Sequence, residues 1–109
     1  MHNRKGLIPA LLSEGVIFEG KASSAVVLRV EGTLVGEIRE TESLVIGEAG
    51  KIEGNAQAET IVVYGAVTGN LAATSITLKK SAVVSGELRA RQLIIERGAT
   101  YQGDLIMEQ

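Results

Sequence analysis

The sequence predicts an all-β chain wound as a single-stranded parallel β-helix, and three observations carry that prediction. A five-residue phrase, apolar–polar–Gly–polar–apolar, occurs six times, centred on Gly20, Gly36, Gly54, Gly69, Gly86 and Gly103, at intervals of 16, 18, 15, 17 and 17 residues. Upstream of the last five copies stands an alternating apolar pair: Leu28/Val30, Leu44/Ile46, Ile61/Val63, Ile76/Leu78 and Leu93/Ile95. Alternation with period two, rich in Val and Ile, is the signature of a strand. Four residues before each of those five glycines only a small residue appears, namely Gly32, Gly50, Gly65, Ala82 and Ala99, as a tight corner or a crowded backbone requires.

Each repeat therefore carries two or three short strands joined by corners, and one repeat cannot bury its own apolar positions. Stacking equivalent strands about 4.8 Å apart sets like residues on like. Leu44, Ile61, Ile76 and Leu93 then form an inward ladder, and Glu37, Asn55, Asn70, Glu87 and Asp104 an outward one. Gly36, Gly54, Gly69, Gly86 and Gly103 form a column of structural corners. About six rungs of roughly 17 residues result. The repeat does not set the handedness. An antiparallel sandwich would also show short, evenly spaced strands, but it has no reason to keep the same columns in phase in every copy. A left-handed helix of hexapeptides needs an apolar residue every six positions, a count that intervals of 15 to 17 break.

Along the chain, residues 1–13 read as a flexible N-terminal tail, 14–107 as the β-helix and 108–109 as its C-terminal end. The tail joins Arg4 and Lys5 to Leu7, Ile8, Leu11 and Leu12. Two cations followed by aliphatic residues suit shallow insertion into an anionic membrane face; the same aliphatic residues could instead fold over the first rung. Both readings stand. The first copy, from Val16 to Ala22, is the least regular, as terminal repeats are. Glu40, Glu42, Glu48 and Glu53 give the next stretch an acidic face, read as solvated. Two of the copies, ending at Gly36 and Gly69, are shorter between the apolar pair and the small residue, a difference that loops absorb more readily than strands.

Composition narrows the function. The 109 residues are 45% hydrophobic and 3% aromatic, with 13 Gly, one Pro and a net charge of −2. A narrow aliphatic core fits this; a nucleic-acid footprint does not. Lys79, Lys80, Arg89, Arg91 and Arg97 could gather as a small basic patch, but no aromatic residues are interleaved to stack on bases. The chain has no cysteine, and its one histidine, His2, lies in the tail, so neither a nucleophilic triad nor a His/Cys zinc site is expected in the body. Gly47-Glu48-Ala49-Gly50-Lys51 resembles a phosphate loop only faintly, because Val45 and Ile52 stand where Gly and Ser/Thr belong. It reads as a corner. Glu37, Glu87 and Asp104 recur at a repeat position and read as an outward ladder rather than a catalytic pair. No enzyme activity, cofactor or metal is expected. No apolar run reaches the roughly 20 residues that span a bilayer, and no secretory signal is evident, so the expected location is the cytoplasm.

The remaining feature is the ends. A β-helix satisfies its backbone between rungs, but its first and last rungs have free edges that invite another chain. No C-terminal cap is evident, and the last rung is apolar. End-to-end association is expected, through Val16 and Phe18 at one end and Tyr101, Leu105 and Met107 at the other. Contacts at both ends would make an open filament.

The six-fold phrase, with Leu44-Val45-Ile46-Gly47-Glu48-Ala49-Gly50-Lys51-Ile52-Glu53-Gly54-Asn55 and Leu93-Ile94-Ile95-Glu96-Arg97-Gly98-Ala99, resembles the bactofilins over about residues 14–105. The resemblance implies a right-handed parallel β-helix that polymerises without nucleotide into non-polar filaments through contacts at like ends. It also implies a cytoskeletal role at the inner face of the cytoplasmic membrane, reached by a short N-terminal segment, and partners among cell-wall-modifying proteins that govern cell shape. The competing reading is a finite oligomer that scaffolds envelope enzymes through side faces bearing Glu40 and Arg89.

Overall fold

The structure, a computed structural model, describes residues 11–23 and 27–108. Twelve strands, all paired in parallel, wind into a β-solenoid of about five turns. In chain order they are β1 (Leu11–Leu12), β2 (Ile17–Ser23), β3 (Val27–Val30), β4 (Thr33–Ile46), β5 (Lys51–Val63), β6 (Ala66–Ala72), β7 (Ser75–Leu78), β8 (Val83–Ser85), β9 (Leu88–Ala90), β10 (Gln92–Ile95), β11 (Thr100–Gln102) and β12 (Leu105–Met107). The described residues contain no helix long and apolar enough to cross a membrane.

Three faces repeat in each turn. The first leads into the glycine, the second leaves it, and the third carries the alternating aliphatic pair. Register is held by the repeat columns: Leu34 lies on Ile52 and Ile52 on Val67 on the first face, Ile38 on Ala56 and Ala56 on Leu71 on the second, and Leu28, Leu44, Ile61, Ile76 and Leu93 in line on the third. Period two points these residues inward together. The core is the stack of their side chains, with Leu44, Ile52, Ile61, Ile76 and Leu88 fully buried.

The corner glycines answer to two constraints. In all five predicted positions φ lies between 135° and 139°, a region closed to L side chains. A Cβ at any of them would also overlap the carbonyl oxygen of the glycine one turn below. The small column before them is different. A Cβ built on Gly32, Gly50 or Gly65 would strike backbone carbonyls, yet their φ values are ordinary, and Ala82 is accommodated there, buried.

The uneven glycine spacing has a local cause. Long corners, Gly47–Gly50, Lys79–Ala82 and Glu96–Ala99, close with a hydrogen bond from the last amide to the first carbonyl. Short corners replace them at Glu31-Gly32 and Tyr64-Gly65, with two fewer residues between strands. The 18-residue interval adds a bulge: the register between β4 and β5 shifts between Ile38 and Thr41. There Glu40 adopts φ 54°, and the buried Thr41 hydroxyl donates to the Arg39 carbonyl at 3.2 Å. Corners and a bulge, not the core strands, take up the difference.

The expected tail boundary at residue 13 is corrected at its C-terminal side. Leu11 and Leu12 already form a strand, in register with Arg29 and Val30 of β3. Leu12 is buried in the core, while Leu11 is 51% exposed. Arg4, Lys5, Leu7 and Ile8 lie outside the described residues.

Candidate assembly surfaces at the solenoid ends

The two ends of the solenoid are each one coil thick. At the C-terminal end the last strand on every face is an edge: β10 pairs only with β7, β11 only with β8, and β12 only with β9. Their outer backbone amides and carbonyls have no strand partner among the described residues, the condition in which an edge templates another chain.

The side chains of this last coil belong to the inward ladders but have nothing above them. Ile95, Leu105 and Met107 are 46%, 44% and 48% exposed, whereas Leu78, Leu88 and Ala90, the residues one turn below them, are fully buried. Leu93, Ala99 and Tyr101 are partly buried against the core. A continuous apolar surface results, the cross-section of a core. Tyr101, Leu105 and Met107 stand on it as the sequence predicts. Leu93, Ile95 and Ala99 join them, and the sequence reading missed that. Counting back one full period from Met107 would have found them, because the final coil begins on the third face at β10.

At the other end β1 and β2 form the edge coil. Phe18, stacked on Leu34, is partly buried, and Val16 is 46% exposed. The two aromatic residues of the first-face ladder, Phe18 and Tyr101, thus occupy its opposite ends. Gly20 keeps the corner conformation at φ 132°, but a Cβ there would meet nothing among the described atoms.

A family model described as "Bactofilin: Polymer-forming cytoskeletal" matches residues 10–106. The chain belongs to the bactofilin family. It is 28% identical over 64 residues to bactofilin BacO of Myxococcus xanthus (strain DK1622), a match that covers 59% of this chain and 51% of BacO; the matched region thus spans about half the length of that relative. It is similar to the solid-state NMR structure of the cytoskeletal bactofilin BacA, with TM-score 0.83 and 31% identity over 91% of this chain and 95% of BacA. The family is described as a polymer-forming, cytoskeletal one.

The outer faces offer less. A shallow groove of about 190 Å³ runs along the second face, lined by Glu37, Arg39, Asn55, Gln57, Asn70 and Arg89 among others. Its charges are paired in place: Arg39 lies 3.2 Å from Glu37, and Arg89 lies 3.4 Å from Glu87 and 3.0 Å from Glu108. Glu37 Oε1 is ion-paired without hydrogen-bond geometry. Hydrogen bonding to Glu108, then to Glu87, raises the Arg89 pKa further. Of the five basic residues that the sequence groups as a patch, Lys79 and Arg89 are paired to carboxylates, Glu96 and Glu108. Gly47 to Lys51 is a corner, closed by the Gly50 amide on the Gly47 carbonyl, with Lys51 paired to Glu53 at 3.4 Å. Among the described residues no cluster of acidic, His or Cys side chains is arranged to hold a metal.

Proposed function

We propose that this bactofilin assembles end to end, without nucleotide, into non-polar filaments, and acts as a structural element rather than an enzyme. The observation that carries this reading is the C-terminal coil, which presents core-type side chains and unpaired strand edges on one surface. Burying it against a second copy removes apolar area from water and continues the strand pairing. No chemical step is needed, so nucleotide has no part to play. Like-to-like contact at each end, which makes the filament non-polar, is supported by the family resemblance. So are attachment to the inner face of the cytoplasmic membrane and scaffolding of cell-wall-modifying proteins. For the membrane, Arg4 and Lys5 followed by Leu7 and Ile8 supply the basic and aliphatic character; Leu11 is exposed beside them in sequence, and Leu12 is withdrawn into the core.

Negative-stain microscopy of the purified chain tests the assembly reading. Long unbranched filaments without nucleotide are the expected result. A uniform small particle would favour the finite oligomer that works through its side faces.

A further inference from the structure

The terminal coil of a solenoid has a neighbour on one side only, so its strands are the first to fray. Here each of its three strands is held by a side-chain fastening to the turn below. Beyond β10, the Glu96 carboxylate takes Lys79 Nζ on one oxygen at 3.2 Å and the Lys80 amide on the other at 3.2 Å. In β11, the Tyr101 hydroxyl lies 3.1 Å from the Gly86 carbonyl and 2.5 Å from the Asp104 carbonyl, sharing its proton between two turns. Beyond β12, Glu108 accepts from Arg89 at 3.0 Å.

Side-chain hydrogen bonds also join interior turns, as from Thr74 to Glu59 and from Ser81 to the Tyr64 carbonyl, but the ion pairs are unevenly distributed. Among the described residues, Lys79–Glu96 and Arg89–Glu108 are the ion pairs that join one turn to another; Arg29–Glu31, Arg39–Glu37, Lys51–Glu53 and Arg89–Glu87 each link residues two apart on one strand or corner. Both cross-turn pairs tie down the coil that carries the exposed apolar surface. An isolated surface pair contributes little to a core that is already cooperative. Its effect is concentrated where the local opening free energy is small, as at an edge coil.

We propose that Lys79, Glu96, Arg89 and Glu108 are positioning residues for assembly. They hold β10 and β12 in register on either side of β11, so that an incoming copy meets a formed template and does not have to order the coil as it binds. This rests on the end-contact reading above. It makes assembly sensitive to ionic strength, because the four side chains are between 32% and 47% exposed and salt screens exposed pairs.

The test measures the critical concentration for pelleting of the full chain, at low and high sodium chloride, for the wild type, Glu96→Gln, Glu108→Gln, Lys79→Glu, the charge swap Lys79→Glu/Glu96→Lys, and Leu105→Arg. Hydrogen exchange of amides 92–107 is followed in the Leu105→Arg background. Each Gln variant is expected to raise the critical concentration about two- to five-fold at low salt and to speed exchange in 92–107 while leaving 44–78 unchanged. High salt narrows the difference between variant and wild type, and the swap, which regains the ion pair but leaves the Lys80 amide without its acceptor, recovers part of the loss. Gln variants that match the wild type in both readouts, or a swap that assembles no better than Lys79→Glu alone, overturn the positioning role. If Leu105→Arg pellets like the wild type, the end-contact reading itself fails, whatever the Gln variants do.

Discussion

Adding one methyl group to the corner column should separate two costs that ordinarily arrive together. Gly69 and Gly20 have nearly the same backbone, φ 139° and 132°. Alanine at either position adopts a conformation that costs about 1–3 kcal/mol. At Gly69 the new Cβ overlaps the carbonyl oxygen of Gly54; at Gly20 it meets nothing among the described residues. Gly54 cannot withdraw locally, because β5 and β6 are paired on both sides of the corner, from Lys51 on Ala66 to Gln57 on Ala72. Relief needs the turns to part there, at the expense of about two ladder hydrogen bonds of roughly 1 kcal/mol each. Gly69→Ala should therefore lose about 3–5 kcal/mol, and Gly20→Ala about 1–3 kcal/mol. Urea unfolding followed by circular dichroism measures both, in a Leu105→Arg background so that assembly adds nothing to apparent stability. Equal losses would refute the stacking argument and leave the backbone conformation as the whole reason for glycine.

Further outcomes follow from the same geometry. Ile61→Ala, in the fully buried third-face ladder, should cost about 2–5 kcal/mol, whereas Val62→Ala, one residue on and facing outward, should cost about 1 kcal/mol or less; similar values in urea melts would contradict the alternation. Burial pushes the Tyr101 phenol above its ordinary value, an effect that the Leu88 amide partly offsets. A raised acid favours the neutral form in the folded state, so its contribution is complete below the unfolded value and lost as pH rises through the folded one. Protection factors of amides 100–107, taken against the base-catalysed intrinsic rate at each pH, should fall at alkaline pH in the wild type, and Tyr101→Phe should remove that step; a step that persists in Tyr101→Phe belongs to another group. Deleting residues 2–10 should abolish flotation with anionic liposomes and spare assembly; unchanged flotation would assign membrane contact, if any, to the solenoid.

Most of the fold was legible because a solenoid writes its register into its columns. Stacking Gly36 on Gly54 and Gly69 places Ile52, Ile61 and Ala56 without further information. The spacings were harder to interpret. That 15, 17 and 18 residues span equivalent turns depends on whether the third face closes in a short corner, as at Tyr64-Gly65, or a hydrogen-bonded one, as at Gly47–Gly50. It depends also on the bulge at Glu40, where a non-glycine residue takes positive φ with no local signal. The end surface was half legible. Tyr101 and Leu105 flank the final glycine, Gly103, and Met107 follows it, so the last copy of the phrase marks them; Leu93 and Ile95 form the alternating pair upstream and read as ordinary core. Their exposure follows from the absence of a described strand above β10, a fact about stacking that no column shows. Leu11 and Leu12 were placed in the tail because two residues are too few for a periodic signal; pairing with β3 makes them a strand.

The central claim is that the exposed C-terminal coil is the assembly contact. Electron microscopy of Leu105→Arg beside the wild type, both without nucleotide and both checked by circular dichroism for β structure, tests it most directly. Leu105 is half exposed and stacks on Leu88, so arginine leaves the solenoid folded and sets a charge in the middle of the apolar surface. Wild-type filaments with a folded, non-filamentous variant are the predicted result. Filaments of ordinary length from both proteins would contradict it.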